Sequence, residues 1–317
     1  MGKDNQTRVT EIELVGFSDF QSLQVLLFVL VFIFYVMALV GNTLILIITI
    51  TDSVLQTPMY FFLRNLSFLE ICYTSVTLPK MLVNLVSETQ TISFASCGAQ
   101  ICFFVLFGIT ECCLLSVMAY DWYVAICHPL QYTLSMNQIV CAWMAAGSWI
   151  VGILVGFGHT ISIFTLPFCG SNRINHFFCD VFPVLRLIST DTHKNEAAVT
   201  TTTVLFILAP FLLIPLSYGL HFYTILKMPS AEGRHKIFST CSSHLIVVSL
   251  FYGTGTFIYM HPSSEQSQGC NRFLSLVYTV LTPTFKLIIY SLRNKEIRCA
   301  LRKTIGRKMF PQVTSMG

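Results

Sequence analysis

Long charge-free stretches alternate with short polar ones along this chain. Phe20 to Thr51 lies uncharged between Asp19 and Asp52, and from Asp121 to Arg173 only two histidines interrupt the run. Each stretch exceeds the roughly 20 apolar residues that a bilayer-spanning helix needs. Hydropathy predicts seven spans, at about 24–50, 58–84, 97–121, 138–163, 197–226, 237–260 and 271–292. The expected fold is therefore an all-α membrane protein, a seven-transmembrane helix bundle. An odd number of spans puts the termini on opposite sides. With the N-terminus outside, eleven basic residues face the cytoplasm and seven face outward, the tail from Arg293 to Lys308 dominating the count. That gives an extracellular segment 1–23 and a basic cytoplasmic tail 293–317, expected to lie along the inner leaflet as a short amphipathic helix.

Composition agrees with the pattern. Of 317 residues, 54% are hydrophobic and only 11% charged, against about 25% charged in soluble domains, and the mean hydropathy is +0.69. The partner this implies is membrane lipid, in a multi-pass plasma-membrane location; no nucleic-acid partner is expected. Residues Met1 to Asp19 are polar and mixed in charge, without the apolar core and small-residue cleavage site of a signal peptide. Asn5-Gln6-Thr7 forms a glycosylation sequon, usable if this end is outside.

Polar residues inside the spans carry the chemistry. Glu70, Glu111, His244 and Lys286 each fall within an apolar run, with Asn42 in the first span. An unpaired charge in hydrocarbon costs about 2.5–3.5 kcal/mol, so Lys286 is expected to pair with Glu70, Glu111 or both. Asp121 marks the end of the third span, where oil should give way to water, and its neighbour Trp122 offers only an indole N–H. Prolines 58, 79, 210, 215 and 283 mark expected kinks, and Gly152, Gly156 and Gly158 suit a close helix contact. Four cysteines fall on the oxidising side, Cys97, Cys169, Cys179 and Cys270. A Cys97–Cys179 bridge would pin the long loop over the bundle, but four cysteines allow three connectivities.

Six motifs, each at the expected span, resemble the vertebrate odorant receptors among the rhodopsin-like G-protein-coupled receptors. They are Gly41-Asn42, Pro58-Met59-Tyr60-Phe61-Phe62-Leu63, Met118 to Leu130, Ser217-Tyr218, the run from Lys236 to Leu245, and Ile289-Tyr290-Ser291-Leu292-Arg293-Asn294. The resemblance implies a Cys97–Cys179 disulfide. It also implies a cavity for a small volatile odorant, lined by Phe104, Val105, Gly108, Ile109, Thr202, Thr203, Phe206, Tyr252, Gly255, Thr256 and Tyr259. Apolar walls with a few hydroxyls suit such ligands, whose affinity comes mostly from desolvation. Asp121, Trp122, Tyr123, Tyr218, His244, Lys286 and Tyr290 would form the switch that engages a heterotrimeric olfactory G protein and raises cyclic AMP. No cofactor, metal or enzymatic role is expected.

Three departures from the family bear on signalling. The family carries arginine where this chain has Trp122, and asparagine-proline where it has Lys286-Leu287. Restoring a backbone N–H at 287 should straighten the seventh helix. Ser189 stands where the outer loop often has a cysteine, leaving Cys169 without its usual partner. Odorant coupling is therefore expected to be weak; the plainer alternative for Trp122 is a place in the interfacial aromatic belt, which its position allows. Competing classes are a receptor-like chain that binds or dimerises without signalling, a transporter or channel, for which repeats or a charged pore would be needed, and a retinal-binding opsin, for which Lys286 lies too deep.

Overall fold

The computed structural model describes residues 10–16, 23–168, 172–226, 231–260, 273–292, 294 and 296–302. Its long helices are α1 (Gln24–Thr51), α2 (Pro58–Val86), α3 (Phe94–Cys127) and α5 (Gln138–Phe164), with the four-residue α4 (Tyr132–Ser135) between the last two. After the short α6 (Val181–Leu185), α7 (His193–Thr203) continues through a π-helical turn, Val204–Leu208, into α8 (Ala209–Leu226). Then come α9 (Ala231–Met260), a second π-helical turn at Val277–Leu281 and α10 (Thr282–Leu292). Six of these helical segments are long and apolar enough to cross a membrane, and α9 contributes a shorter apolar stretch, His244–Met260. Side chains such as Val25, 79% exposed, and Trp143, 73% exposed, point away from the bundle, as lipid-facing residues do.

Local chemistry sets several helix ends. Pro58 occupies the first turn of α2, where its missing N–H costs nothing, so it starts a helix rather than kinking one. The Ser93 and Asn137 side chains cap α3 and α5 by accepting from the backbone N–H groups of Ser96 and Val140. Each π turn ends two residues before a proline, Pro210 or Pro283. Neither proline can donate to the carbonyl four residues back, at Phe206 or Thr279, which lies inside the widened turn. By contrast α10 runs unbroken through Leu287, as expected from the absence of proline there.

Helices α3 and α5 meet through small residues. A Cβ on Gly156 would lie 2.8 Å from the Cys102 carbonyl, and one on Gly152 would collide with Thr110. Gly158 faces open space, so it has no part in this contact. The third helix also extends past its expected end. It continues to Cys127, and Asp121 is 2% exposed inside it, so the water boundary lies about two turns further on.

One end of the bundle carries a small sheet that periodicity in the spans did not reveal. Strand β1 (Glu11–Leu14) lies between β2 (Thr91–Ser93), antiparallel, and β3 (Arg173–Ile174), parallel. Ile12 and Leu14 alternate inward onto a cluster with Ile92, Ile101, Ile163 and Ile174. The Cys97–Cys179 disulfide crosses the same cluster and ties the loop after β3 to the start of α3. Asn5, Cys169 and Cys270 lie outside the described residues. At the opposite end, residues 296–302 form a helical turn whose Ile297 and Ala300 are buried, and Tyr60 of α2 donates to Glu296 at 2.7 Å.

Candidate ligand-binding site

Beneath the disulfide-tethered loop lies a cavity of about 60 Å³ among α3, α5, α7, α9 and the two π turns. Phe104, Val105, Gly108 and Ile109 share one face of α3, at helical spacing. Thr202, Thr203 and Tyr259 complete the part of the lining foreseen from the sequence. The other lining residues are Cys112, His159, Val181, Val199, Ile207 and Tyr278. Of these, Cys112 follows Gly108 by one helical turn and was legible in that spacing.

Four residues expected in the lining lie elsewhere. Phe206 was expected in the lining from the family resemblance. The cavity-facing position there is Ile207, one helical turn after Thr203, and Phe206 packs against the core. Tyr252 is fully buried and donates to the Cys112 carbonyl at 2.7 Å, tying α9 to α3. A Cβ added to Gly255 would meet the Ile207 side chain at 3.5 Å. Thr256 is absent from the lining, and its buried hydroxyl has no partner among the described residues.

A latch closes the cavity roof. Asp180 caps α6 by accepting from the Val181 N–H at 2.7 Å, and the same oxygen accepts from Tyr259 of α9 at 3.0 Å. Burial pushes the Asp180 carboxyl above its ordinary range, opposed by nearby His176 and by these two hydrogen bonds. Engineered cavities of about 150 Å³ hold benzene, so a ligand of that size entering here must push the walls apart.

Below the cavity, the structure brings three charged residues together. Lys286 of α10 donates to Glu70 of α2 at 2.7 Å and to Glu111 of α3, and its ammonium lies 4.4 Å from the Phe251 ring centre. All three are nearly inaccessible to solvent. This cluster ties α2, α3 and α10, while Leu287 fills the space opposite Gly41 of α1. Asn42 does not join the cluster: its side-chain amide bonds back to the Ala38 carbonyl at 2.9 Å. The second oxygen of Glu70 has no partner among the described residues.

The remaining switch candidates group by end and by helix. The Tyr218 hydroxyl and His244 Nδ1 lie 2.8 Å apart, linking α8 to α9. Tyr123 pairs with His128 at 3.3 Å, and the buried Tyr290 hydroxyl has no partner among the described residues. Trp122 is half-buried and packs against the main core cluster. Asp121 has found a donor after all: Tyr132 of α4 bonds to it at 2.9 Å. Burial and the neighbouring carboxylate push the Tyr132 hydroxyl well above its ordinary range. Nothing in the linear pattern singled out Tyr132, because the contact depends on the turn between α3 and α4.

Comparison with known proteins assigns this architecture. A family profile described as olfactory receptor matches residues 30–308. Human olfactory receptor 10A7 is 52% identical over 310 residues, covering 98% of each chain, and human olfactory receptor 10A4 is 53% identical with the same coverage. Mouse olfactory receptor 10P22 is 49% identical, covering 98% of this chain and 99% of its own. With membrane-length apolar helices enclosing an apolar cavity and a match over nearly its whole length, the chain belongs to the olfactory receptor family.

Proposed function

We propose that this chain is an odorant receptor of the plasma membrane that binds small, mostly apolar volatile molecules and signals through a heterotrimeric olfactory G protein. The observation that carries the reading is the apolar cavity, roofed by the disulfide-tethered loop and walled by the helices that must move in signalling. In this reading the sheet-bearing end and Asn5 face outward and the basic tail faces the cytoplasm. Ligand in the cavity favours an arrangement in which α9 moves away from α3 at the far end, where the G protein docks. The ligand drives that shift only through its difference in affinity between the two arrangements. The family is one of receptors rather than enzymes, and membership favours neither a silent binder nor a transporter.

Coupling is weaker than in relatives that carry the usual switch residues. Trp122 cannot provide the mobile positive charge of an arginine, and Tyr132 already occupies Asp121. Lys286 joins three helices that would otherwise be free to slide. The test is an odorant panel on cells expressing this chain or a variant with Trp122→Arg, Lys286→Asn and Leu287→Pro. The variant should raise cyclic AMP for odorants to which the unaltered chain responds weakly. Silence of both proteins, with both at the cell surface, would contradict the assignment.

A further inference from the structure

The polar atoms of the cavity have a directional bias. A threonine hydroxyl has one hydrogen to give, and the Thr202 hydroxyl gives it to the Ala198 carbonyl at 2.9 Å. The His159 Nε2 lies 2.9 Å from that same oxygen, which is therefore the acceptor, and the imidazole carries its proton on Nε2. Nδ1 then holds a lone pair. Thr203 likewise gives its hydrogen to the Val199 carbonyl at 2.9 Å, and Tyr259 gives its own to Asp180. On this wall and roof, each of the four donors is already committed within the protein, and what faces a ligand is lone pairs.

Resting on the reading of this cavity as the odorant site, we infer that the receptor selects apolar molecules bearing one neutral hydroxyl. An alcohol or phenol donates to the His159–Thr202 pair and can still accept from Tyr278, the other hydroxyl of the lining, whereas a ketone, aldehyde or ether of the same skeleton can only accept and brings a second acceptor to that pair. A carbonyl oxygen placed against that pair loses its hydrogen bond to water without replacement. An ammonium is disfavoured because among the described residues no Asp or Glu lines the cavity, the Asp180 carboxyl being taken up by Val181 and Tyr259. His159 is thus the specificity-determining residue, acting with Thr202, and it sits on α5 rather than on the helices that supply most of the lining.

Direct binding tests this without relying on coupling. The purified receptor in lipid nanodiscs would be titrated with cyclohexanol against cyclohexanone and cyclohexyl methyl ether, and with benzyl alcohol against benzaldehyde, reading thermal stabilisation. The alcohols should bind about tenfold tighter than their partners, the effect of one hydrogen bond. Thr202→Val frees the His159 N–H and should narrow or reverse the preference; His159→Phe should abolish it. Gly158→Ala, next to His159 but facing open space, should leave it intact, and loss of the preference in that variant would overturn the assignment to His159. Carbonyl or ether binding as tight as alcohol binding in the unaltered receptor would overturn the inference while leaving the cavity reading standing. If no probe, cyclohexane included, stabilises the receptor, the cavity is not a small-molecule site and both fall.

Discussion

The cavity and the ion cluster below it lie one above the other in the bundle, yet they are built on opposite terms. The cavity is mostly apolar, narrow and flanked by two π turns, so its walls rest on packing and on few directional bonds. The cluster is three charges with almost no access to water, held by direct contact. Displacing an apolar wall by a small amount sacrifices dispersion contacts gradually. Separating buried ions exposes the full desolvation cost at once. The upper region can adapt to a ligand, while the lower one resists the helix movement that would report it.

The comparison breaks most readily at Lys286. Lys286→Met leaves Glu70 and Glu111 buried together without a cation, and should cost about 3–5 kcal/mol of stability. Thermal unfolding and surface expression would both fall. Adding Glu70→Gln and Glu111→Gln to that variant should recover much of the loss, and no change in either measure from Lys286→Met alone would refute the ionic contact.

Two smaller effects sharpen the picture of what holds the helices in place. Gly156→Val drives a side chain into the Cys102 carbonyl, and should destabilise by about 1–3 kcal/mol through forced separation of α3 and α5. Gly158→Val, facing open space, should be close to neutral beside it in the same melting experiment. Tyr132→Phe removes the donor to buried Asp121 and should cost about 1–3 kcal/mol; Asp121→Asn in addition should lessen that penalty.

The smallest expected effect concerns the roof latch. The folded protein holds the Asp180 proton more tightly than the unfolded chain, whose value is near 3.8. The linked stability is therefore fully present below 3.8 and is lost as pH rises through the raised folded value. Melting temperature measured across that acidic window should show this slope, and Asp180→Asn should flatten it.

The sequence made the membrane spans legible because charge-free runs of sufficient length have few alternatives in a bilayer. Glu70, Glu111 and Lys286 were legible as a group for the same reason, since isolated charges there are costly. Ile207 follows Thr203 by one helical turn and was legible in that spacing, as Cys112 was from Gly108. Val181 and Tyr132 were hidden because loops place them, and loop geometry leaves no periodic trace. Strand β1 is only four residues long, too short to signal pairing partners 78 and more positions away. His159 stood in plain view as one of two histidines in an uncharged run, but only the direction of its hydrogen bond gave it a role.

The central claim is that recognition persists while Trp122, Lys286 and Leu287 restrain coupling. It is tested most directly by cyclic AMP measured at a saturating odorant that binds the unaltered chain and the Trp122→Arg, Lys286→Asn, Leu287→Pro variant with equal affinity. The account predicts a small maximal response from the unaltered chain and a severalfold larger one from the variant, at matched surface expression. Equal, robust maximal responses from the two would contradict it.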